Sequence, residues 1–495
     1  MKLSQYTLEA TVFIVGAVIM IFELVGSRVL GPYFGTSIFV WTSLIGIILG
    51  SLSLGYYYGG KVADKNPSFK SLSLIIFQSG VFIGLMIMFK DFLLAFLLSF
   101  VPGVRLASVI ASVVLFFPAS FSLGMVSPYA AKLKLTHLSN AGATIGNLYA
   151  ISTTGSIVGT FLCGFYLIPH FGTNTLLMTL AIALILVSLL LWRKPIKSIE
   201  VCTIVLCIIG WNVVSGFNLM PRASNFIDID TAYNRIWIYD MPHYDSDKTV
   251  RIMGINNENH SSMFLESDEL SNEYSKYYHL VRHFNPSFQT ALLLGGAGYS
   301  YPKDYLLQYP EATMDVVEID PKVTELAKQY FRLKEDPRLV IYHQDARVFL
   351  NALEKKYDVI YGDAFGSRYS IPYQLTTVEA VQKMYDALND DGIVIQNIIS
   401  AIEGDGGQFL RAEYATFASI FPQLYLFPTR DPSNGELAQN IVMVALKSDT
   451  KPSMRSTDRQ LNAYLQNVWK KDITLDMPLL TDDFAPVDYY VSQAL

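Results

Sequence analysis

Three carboxylates, Glu318, Asp345 and Asp363, each follow a short apolar run, and together they have the chemistry to hold a nucleoside and take up a proton. Glu318 lies within Val316-Val-Glu-Ile-Asp320. Asp345 sits in Gln344-Asp-Ala346, just after Leu339-Val-Ile-Tyr342, and Asp363 in Tyr357-Asp-Val-Ile-Tyr-Gly-Asp-Ala-Phe365. A fourth run, Leu292-Leu-Leu-Gly-Gly-Ala-Gly298, ends in glycines, which suit a turn where backbone approaches a ligand closely. Apolar runs ending in acids read as strands of an open parallel sheet, and such sheets bind ligands at their carboxyl ends. Glu318 follows the glycine loop by about twenty residues, the spacing at which a carboxylate accepts both ribose hydroxyls. No Gly-Lys-Ser/Thr is present, so a P-loop is excluded, and nothing downstream looks like a hydride-transfer constellation. The expected ligand is adenosine-based.

The elements that position these groups fall into two kinds. Residues 226–290 are expected to form a small β-rich part, with strands over Tyr233–Tyr239 and Val250–Ile255, and residues 291–495 a Rossmann-like α/β domain. A further strand is expected at Asn440–Ala445. Ahead of them, residues 1–220 are a different material in a chain that is 51% hydrophobic overall. Apolar stretches run over Leu8–Val29, Ile38–Tyr58, Leu72–Phe89, Leu106–Val126, Ala143–Ile168, Leu176–Trp192 and Val201–Phe217. Each approaches or exceeds the roughly 20 residues that cross a hydrocarbon core, so a polytopic bundle of about seven spans is expected. The first runs into further spans without a cleavage site, unlike a signal peptide. Asp91–Val101 is too short to cross and is expected to lie at the interface or re-enter. Gly46…Gly50 and Gly155…Gly159 are small-xxx-small pairs suited to close helix packing. Glu23 and Arg28 fall near the end of the first span. Charges there face an interior partner or pathway, or snorkel to the interface; five residues apart, they are awkwardly placed to pair with each other.

Charge predicts a topology. Lys61, Lys65 and Lys70 follow the second span, Lys132 and Lys134 the fourth, and Arg193, Lys194 and Lys197 the sixth, whereas loops 31–37 and 169–174 carry no Lys or Arg. The positive-inside rule puts the N-terminus and the basic loops in the cytoplasm. Seven crossings would then leave the α/β domain outside, whereas an adenosine-based ligand held inside cells points to the cytoplasmic side. Cys163, Cys202 and Cys207 all fall in expected spans, which indicates neither disulfides nor thiol catalysis. A net charge of −6 with scattered basic residues argues against nucleic acid as a partner. His279 and His283 are four apart with no evident third ligand, so no metal is expected.

Residues from about 226 to 445 resemble the spermidine synthase family of aminopropyltransferases, and the whole chain resembles its membrane-fused bacterial branch. The resemblance rests on Gly295-Gly-Ala-Gly-Tyr299, Glu318, Asp345 with Ala346, Asp363, Tyr278-His279 and Ile371-Pro-Tyr-Gln-Leu-Thr-Thr-Val-Glu379. Glu23-Leu-Val-Gly-Ser-Arg28, Gly31-Pro-Tyr-Phe-Gly35 and Leu480-Thr-Asp-Asp-Phe-Ala-Pro-Val-Asp488 resemble motifs of the fused branch. The family pattern implies that Gly295, Gly296 and Gly298 cradle the donor, Glu318 takes its ribose, and Asp345 with Ala346 its adenine edge. It implies Asp363 as the group that accepts the attacking amine's proton, and Ile371, Pro372 and Gln374 as part of a loop over the substrate. Tyr278 is expected to orient Asp363 or to pack beneath the loop, and His279 to relay a proton or to pack. The plain alternative for Asp363 is a strand-end cap of the next turn.

Three departures bear on the substrates. Gly298 and Gly366 stand where aminopropyltransferases carry acids, and His260 stands for a Gln on the N-terminal hairpin. Losing the acid at 298 removes a like-charge penalty against a donor that keeps its carboxylate. The leading expectation is aminopropyl transfer from decarboxylated S-adenosylmethionine to a small amine or a membrane-associated acceptor, with the lipid bilayer and a second copy of the chain as further partners. The alternatives are methyl transfer from S-adenosylmethionine, and a non-catalytic nucleoside-binding sensor or transporter.

Overall fold

The computed structural model describes residues 6–135, 141–191, 224–256, 258–364 and 371–493. The chain separates into two compact units, Met1–Pro221 with Asp230–Ala232, and Arg222–Ile229 with Tyr233–Leu495.

In the first unit, six helices are long and apolar enough to cross a membrane: α1 (Thr7–Phe34), α2 (Ile38–Lys65), α3 (Phe69–Phe100), α4 (Val104–Lys134), α5 (Ala141–His170) and α6 (Thr173–Leu191). The seventh expected span, Val201–Phe217, lies outside the described residues. Small residues set the closest contacts. A Cβ on Gly155 would run into the Phe13 carbonyl, and one on Gly159 would lie 2.6 Å from that of Ala17, so α5 meets α1 backbone to backbone. Gly46 and Gly50 face open space instead, so that pair does not serve packing among the described residues.

The expectation of a separate segment at Asp91–Val101 is corrected: α3 runs unbroken from Phe69 to Phe100. The charges at its apparent break are satisfied inside the bundle. Lys90 Nζ sits 2.9 Å from Asp91 Oδ1, and the Tyr33 hydroxyl donates to the same oxygen at 2.9 Å. Glu23 and Arg28 do not meet. Glu23 is half-buried in α1, and Arg28 donates to the carbonyls of Thr231 and Ala232 at 2.5 and 2.7 Å.

The second unit begins with a four-stranded sheet in order β1-β2-β3-β4: β1 (Ser224–Asp230), β2 (Arg235–Pro242), β3 (Thr249–Ile255) and β4 (Glu258–Phe264). A short helical run over residues 273–284 leads into the α/β core. There β5 (Thr290–Leu294), α7 (Ser300–Gln308), β6 (Thr313–Val317), α8 (Pro321–Tyr330), β7 (Leu339–Tyr342), α9 (Ala346–Asn351) and β8 (Tyr357–Gly362) alternate. Next come α10 (Val378–Asp386), β9 (Leu388–Ser400), α11 (Gln408–Ala418), β10 (Gln423–Pro428), β11 (Gln439–Leu446) and α12 (Arg459–Gln466). The sheet order is β10-β11-β9-β8-β5-β6-β7. Strands β9, β8, β5, β6 and β7 are parallel; at one edge β11 pairs antiparallel with β9, and β10 antiparallel with β11. Both faces are covered: Leu293, Val316, Val359 and Tyr361 enter one core, Leu292, Leu294, Val317 and Ile360 the other. Burial on both faces is why these strands read as nearly continuous apolar runs. The chain order reverses between β5 and β8, so a crevice is expected beyond their carboxyl ends, where Gly295 and Asp363 lie.

Candidate active site

Gly295 and Asp363 are the first residues past β5 and β8, and the register Leu294↔Gly362 sets them side by side. Gly295 has φ +99°, and a Cβ there would collide with the Asp363 carbonyl oxygen. Only glycine meets both demands. The Asp363 N–H donates to the Leu294 carbonyl at 2.9 Å, and the Gly295 N–H to that of Val317 at 2.9 Å, which locks the three strand ends together. The loop continues through Ala297 (φ +43°) and Tyr299 (φ +54°), both left-handed without being glycine. Tyr299 is held there by a fully buried ring whose hydroxyl lies 2.7 Å from Thr324 Oγ1.

Glu318 closes on this loop. Its Oε2 accepts the N–H groups of Gly296 and Ala297 at 3.0 and 3.1 Å, and its Oε1 that of Asp320 at 3.0 Å. Burial nonetheless pushes its carboxyl above the usual range, against these three donors. Oε1, with a single donor, keeps a lone pair to accept a ribose hydroxyl. Asp345 is the N-cap of α9: Oδ1 accepts from the Arg347 and Val348 N–H groups at 2.9 and 3.1 Å. Its other oxygen is left for a ligand, and Ala346 beside it is half-buried. The glycine loop and the three acids thus occupy the carboxyl ends of four adjacent strands.

Gly298 is enclosed. A Cβ there would lie 2.6 Å from Ser261 Oγ on β4 and 3.0 Å from the Phe331 ring. The missing acid at this position is therefore accounted for by packing.

Asp363 is not a free strand-end cap. Oδ1 accepts from Asn397 Nδ2 at 3.0 Å and Oδ2 from the Tyr274 hydroxyl at 3.2 Å. Asn397 is held in turn by Asn440, whose Nδ2 donates to its Oδ1 at 3.0 Å. Tyr278 is fully buried, its ring T-shaped against Tyr301 at 4.9 Å, and its hydroxyl faces the same carboxylate without completing a well-aligned hydrogen bond. Burial raises the Asp363 carboxyl, and the bonds from Asn397 and Tyr274, with the Tyr278 hydroxyl facing it, offset this only in part. Both tyrosines stay protonated donors, since burial and the neighbouring Asp363 push their hydroxyls well above the ordinary range. A half-buried carboxylate with an elevated pKa, fed by neutral donors, is suited to proton uptake.

The structure does not bring His279 to Asp363. Its Nδ1 is 2.6 Å from the Tyr309 hydroxyl and its Nε2 is 2.8 Å from Asp304 Oδ2. His283 is also turned elsewhere, with Nε2 2.5 Å from the Ser453 carbonyl. His279 and Asp304 instead line a polar cavity of about 490 Å³ with Glu273, Lys276 and Arg282, to which Glu318, Asp345 and Asp363 contribute nothing. Ile371 is buried, while Pro372 and the half-buried Gln374 lie on a short turn whose Gln374 carbonyl accepts from Arg347 Nη1 at 2.8 Å. Gly366 lies outside the described residues. Tyr274 and Asn397 are the site residues that sequence reasoning missed. The available signal for Asn397 was a polar residue in the apolar run that becomes β9.

A family model described as the spermine/spermidine synthase domain matches residues 273–429. The polyamine aminopropyltransferase of Vibrio vulnificus (strain CMCP6) is 34% identical over 147 residues, 29% of this chain and 47% of that protein. A Bifidobacterium longum (strain NCC 2705) protein described as "Probable polyamine aminopropyl transferase" is 30% identical over 220 residues, 40% of this chain and 48% of its own. The chain thus spans about half the length of these two relatives. Among solved structures, a spermidine synthase described as probable from Corynebacterium glutamicum ATCC 13032 aligns at 22% identity and TM-score 0.40, over 50% of this chain and 87% of that one. The similarity to the spermine/spermidine synthase domain thus lies in residues 273–429 of the chain.

Proposed function

We propose that the protein is a membrane-bound aminopropyltransferase, moving an aminopropyl group from decarboxylated S-adenosylmethionine to an amine. The observation that carries this reading is Asp363, raised in pKa and held by Tyr274 and Asn397 beside a nucleoside-shaped set of Gly295, Glu318 and Asp345. Glu318 holds the donor's ribose and the free oxygen of Asp345 its adenine edge. The sulfonium is already an excellent leaving group, so positioning supplies most of the acceleration. The amine nitrogen attacks the propyl carbon next to sulfur; the C–N bond forms as the C–S bond breaks, and methylthioadenosine leaves neutral. Asp363 takes the proton that the new ammonium sheds.

The absence of an acid at 298 carries little weight for methyl transfer, because Ser261 and Phe331 leave no room for a side chain. The acceptor is a small amine or one presented at the bilayer. The basic loops after α2 and α4, together with donor supply, favour a cytoplasmic catalytic unit. A seventh crossing at Val201–Phe217 would oppose that placement, and a topology reporter fused after residue 225 decides between them.

The chemistry is tested by mass spectrometry of the nucleoside product. Detergent-purified protein is given each donor separately, with mixed polyamines and a membrane extract. Methylthioadenosine from the decarboxylated donor, with a matching mass gain on an amine, is the expected result. S-adenosylhomocysteine from the intact donor would overturn it in favour of methyl transfer. Neither product from folded protein would leave a nucleoside-binding role.

A further inference from the structure

The segment Leu480–Asp488 has no part in the chemistry above, yet it is bonded to both sides of the proposed site. Arg347, the second residue of α9, supplies one of the two N–H groups capped by Asp345. Its guanidinium reaches the opposite way: Nη1 donates to the Gln374 carbonyl at 2.8 Å and to Thr377 Oγ1 at 3.1 Å. Asp482 clamps that guanidinium from outside, at 3.1 Å to Nη1 and 2.6 Å to Nη2. The same carboxylate accepts from Thr377 Oγ1 at 2.7 Å. Backbone bonds hold the segment in place on either side. The Leu480 carbonyl accepts from the Val378 N–H at 2.8 Å, the Leu480 N–H donates to Thr416 Oγ1 at 3.0 Å, and the Asp482 N–H to Glu379 Oε2 at 3.0 Å.

From this knot we infer that Leu480–Asp482 is a strap, and Asp482 a positioning residue, that holds the nucleoside-binding start of α9 and the 371–377 turn as one body. The inference rests on the aminopropyl-transfer reading only for which reaction it serves. A lone exposed ion pair would contribute little, and Asp482 is 47% exposed at its side chain. The bidentate geometry, the 15% exposure of Arg347 and the third bond from Thr377 distinguish this pair from such a case. Because Arg347 joins the Asp345 cap to the 371–377 turn, loosening the strap disturbs donor binding before it disturbs the reacting carbon.

The test compares full-length wild type, Asp482→Ala and Asp482→Asn in detergent. Hydrogen exchange is followed by mass spectrometry, and methylthioadenosine binding by calorimetry. The expected result is faster exchange in peptides covering both 345–352 and 371–381, with methylthioadenosine affinity and donor KM each weakened roughly tenfold while kcat stays within about twofold. Asp482→Asn keeps an acceptor for Thr377 and should fall between the other two, and it carries the test should Asp482→Ala not fold. Exchange changes confined to 478–488, or a fall in kcat with KM unchanged, would overturn the inference. Should the wild type yield no methylthioadenosine from the decarboxylated donor, the transfer reading fails, while exchange and nucleoside binding still decide the strap.

Discussion

The proposed transfer requires Asp363 to be charged in a place that disfavours charge, and that conflict has measurable consequences. Its carboxyl is raised by burial, so kcat/KM should rise with pH along a limb lying above the ordinary carboxylate range. Replacing Tyr274 with Phe removes a donor that favours the charged form, which should move that limb to still higher pH in the pH–rate profile. Asp363→Asn should lower turnover by about 10²–10⁴-fold while leaving methylthioadenosine binding nearly unchanged; retained activity would exclude Asp363 as the base. The same variant should unfold at higher temperature near neutral pH. A carboxyl raised in the folded state contributes full stability only below its unfolded pKa and loses it as pH climbs through the folded value. Thermal melts of the two proteins should therefore converge toward acid pH and diverge toward neutrality.

At the scale of elements, the strand ends were legible and the partners across them were not. Glu318, Asp345 and Asp363 could be found because each closes a short apolar run, and a run buried on both faces reads plainly as a strand. Tyr274 and Asn397 reach Asp363 from a helical run 89 residues earlier and a strand 34 residues later, so register and side-chain direction decide the contact. His279 does not reach Asp363 for the same reason: its neighbour Tyr278 faces the acid, and the short helical turn points His279 away toward Tyr309 and Asp304. The glycine loop shows how composition misleads without packing. Gly298→Asp looks like restoring a family acid, yet its Cβ meets Ser261 and Phe331. Purified Gly298→Asp should lose thermal stability and bind both donors more weakly, with no change in preference between them. Gly295→Ala adds backbone strain of about 1–3 kcal/mol to the collision with Asp363 and should abolish nucleoside binding by calorimetry.

For the whole molecule, hydropathy gave six of its helices but misjudged α3, where Lys90 and Asp91 look like a boundary until their pairing with each other and Tyr33 is seen. The closure of Glu318 over the Gly296 and Ala297 N–H groups reaches further, into the chemistry of the cell around the protein. In many nucleotide-binding folds those N–H groups face phosphate. Here a built-in carboxylate has already taken them, so an incoming phosphate meets negative charge in their place. Under the proposed transfer, this arrangement would disfavour phosphorylated adenosines and suit a cationic sulfonium. AMP should bind at least about tenfold more weakly than methylthioadenosine, and Glu318→Gln should narrow that gap as it weakens binding overall; equal affinities in the wild type would rule this selection out.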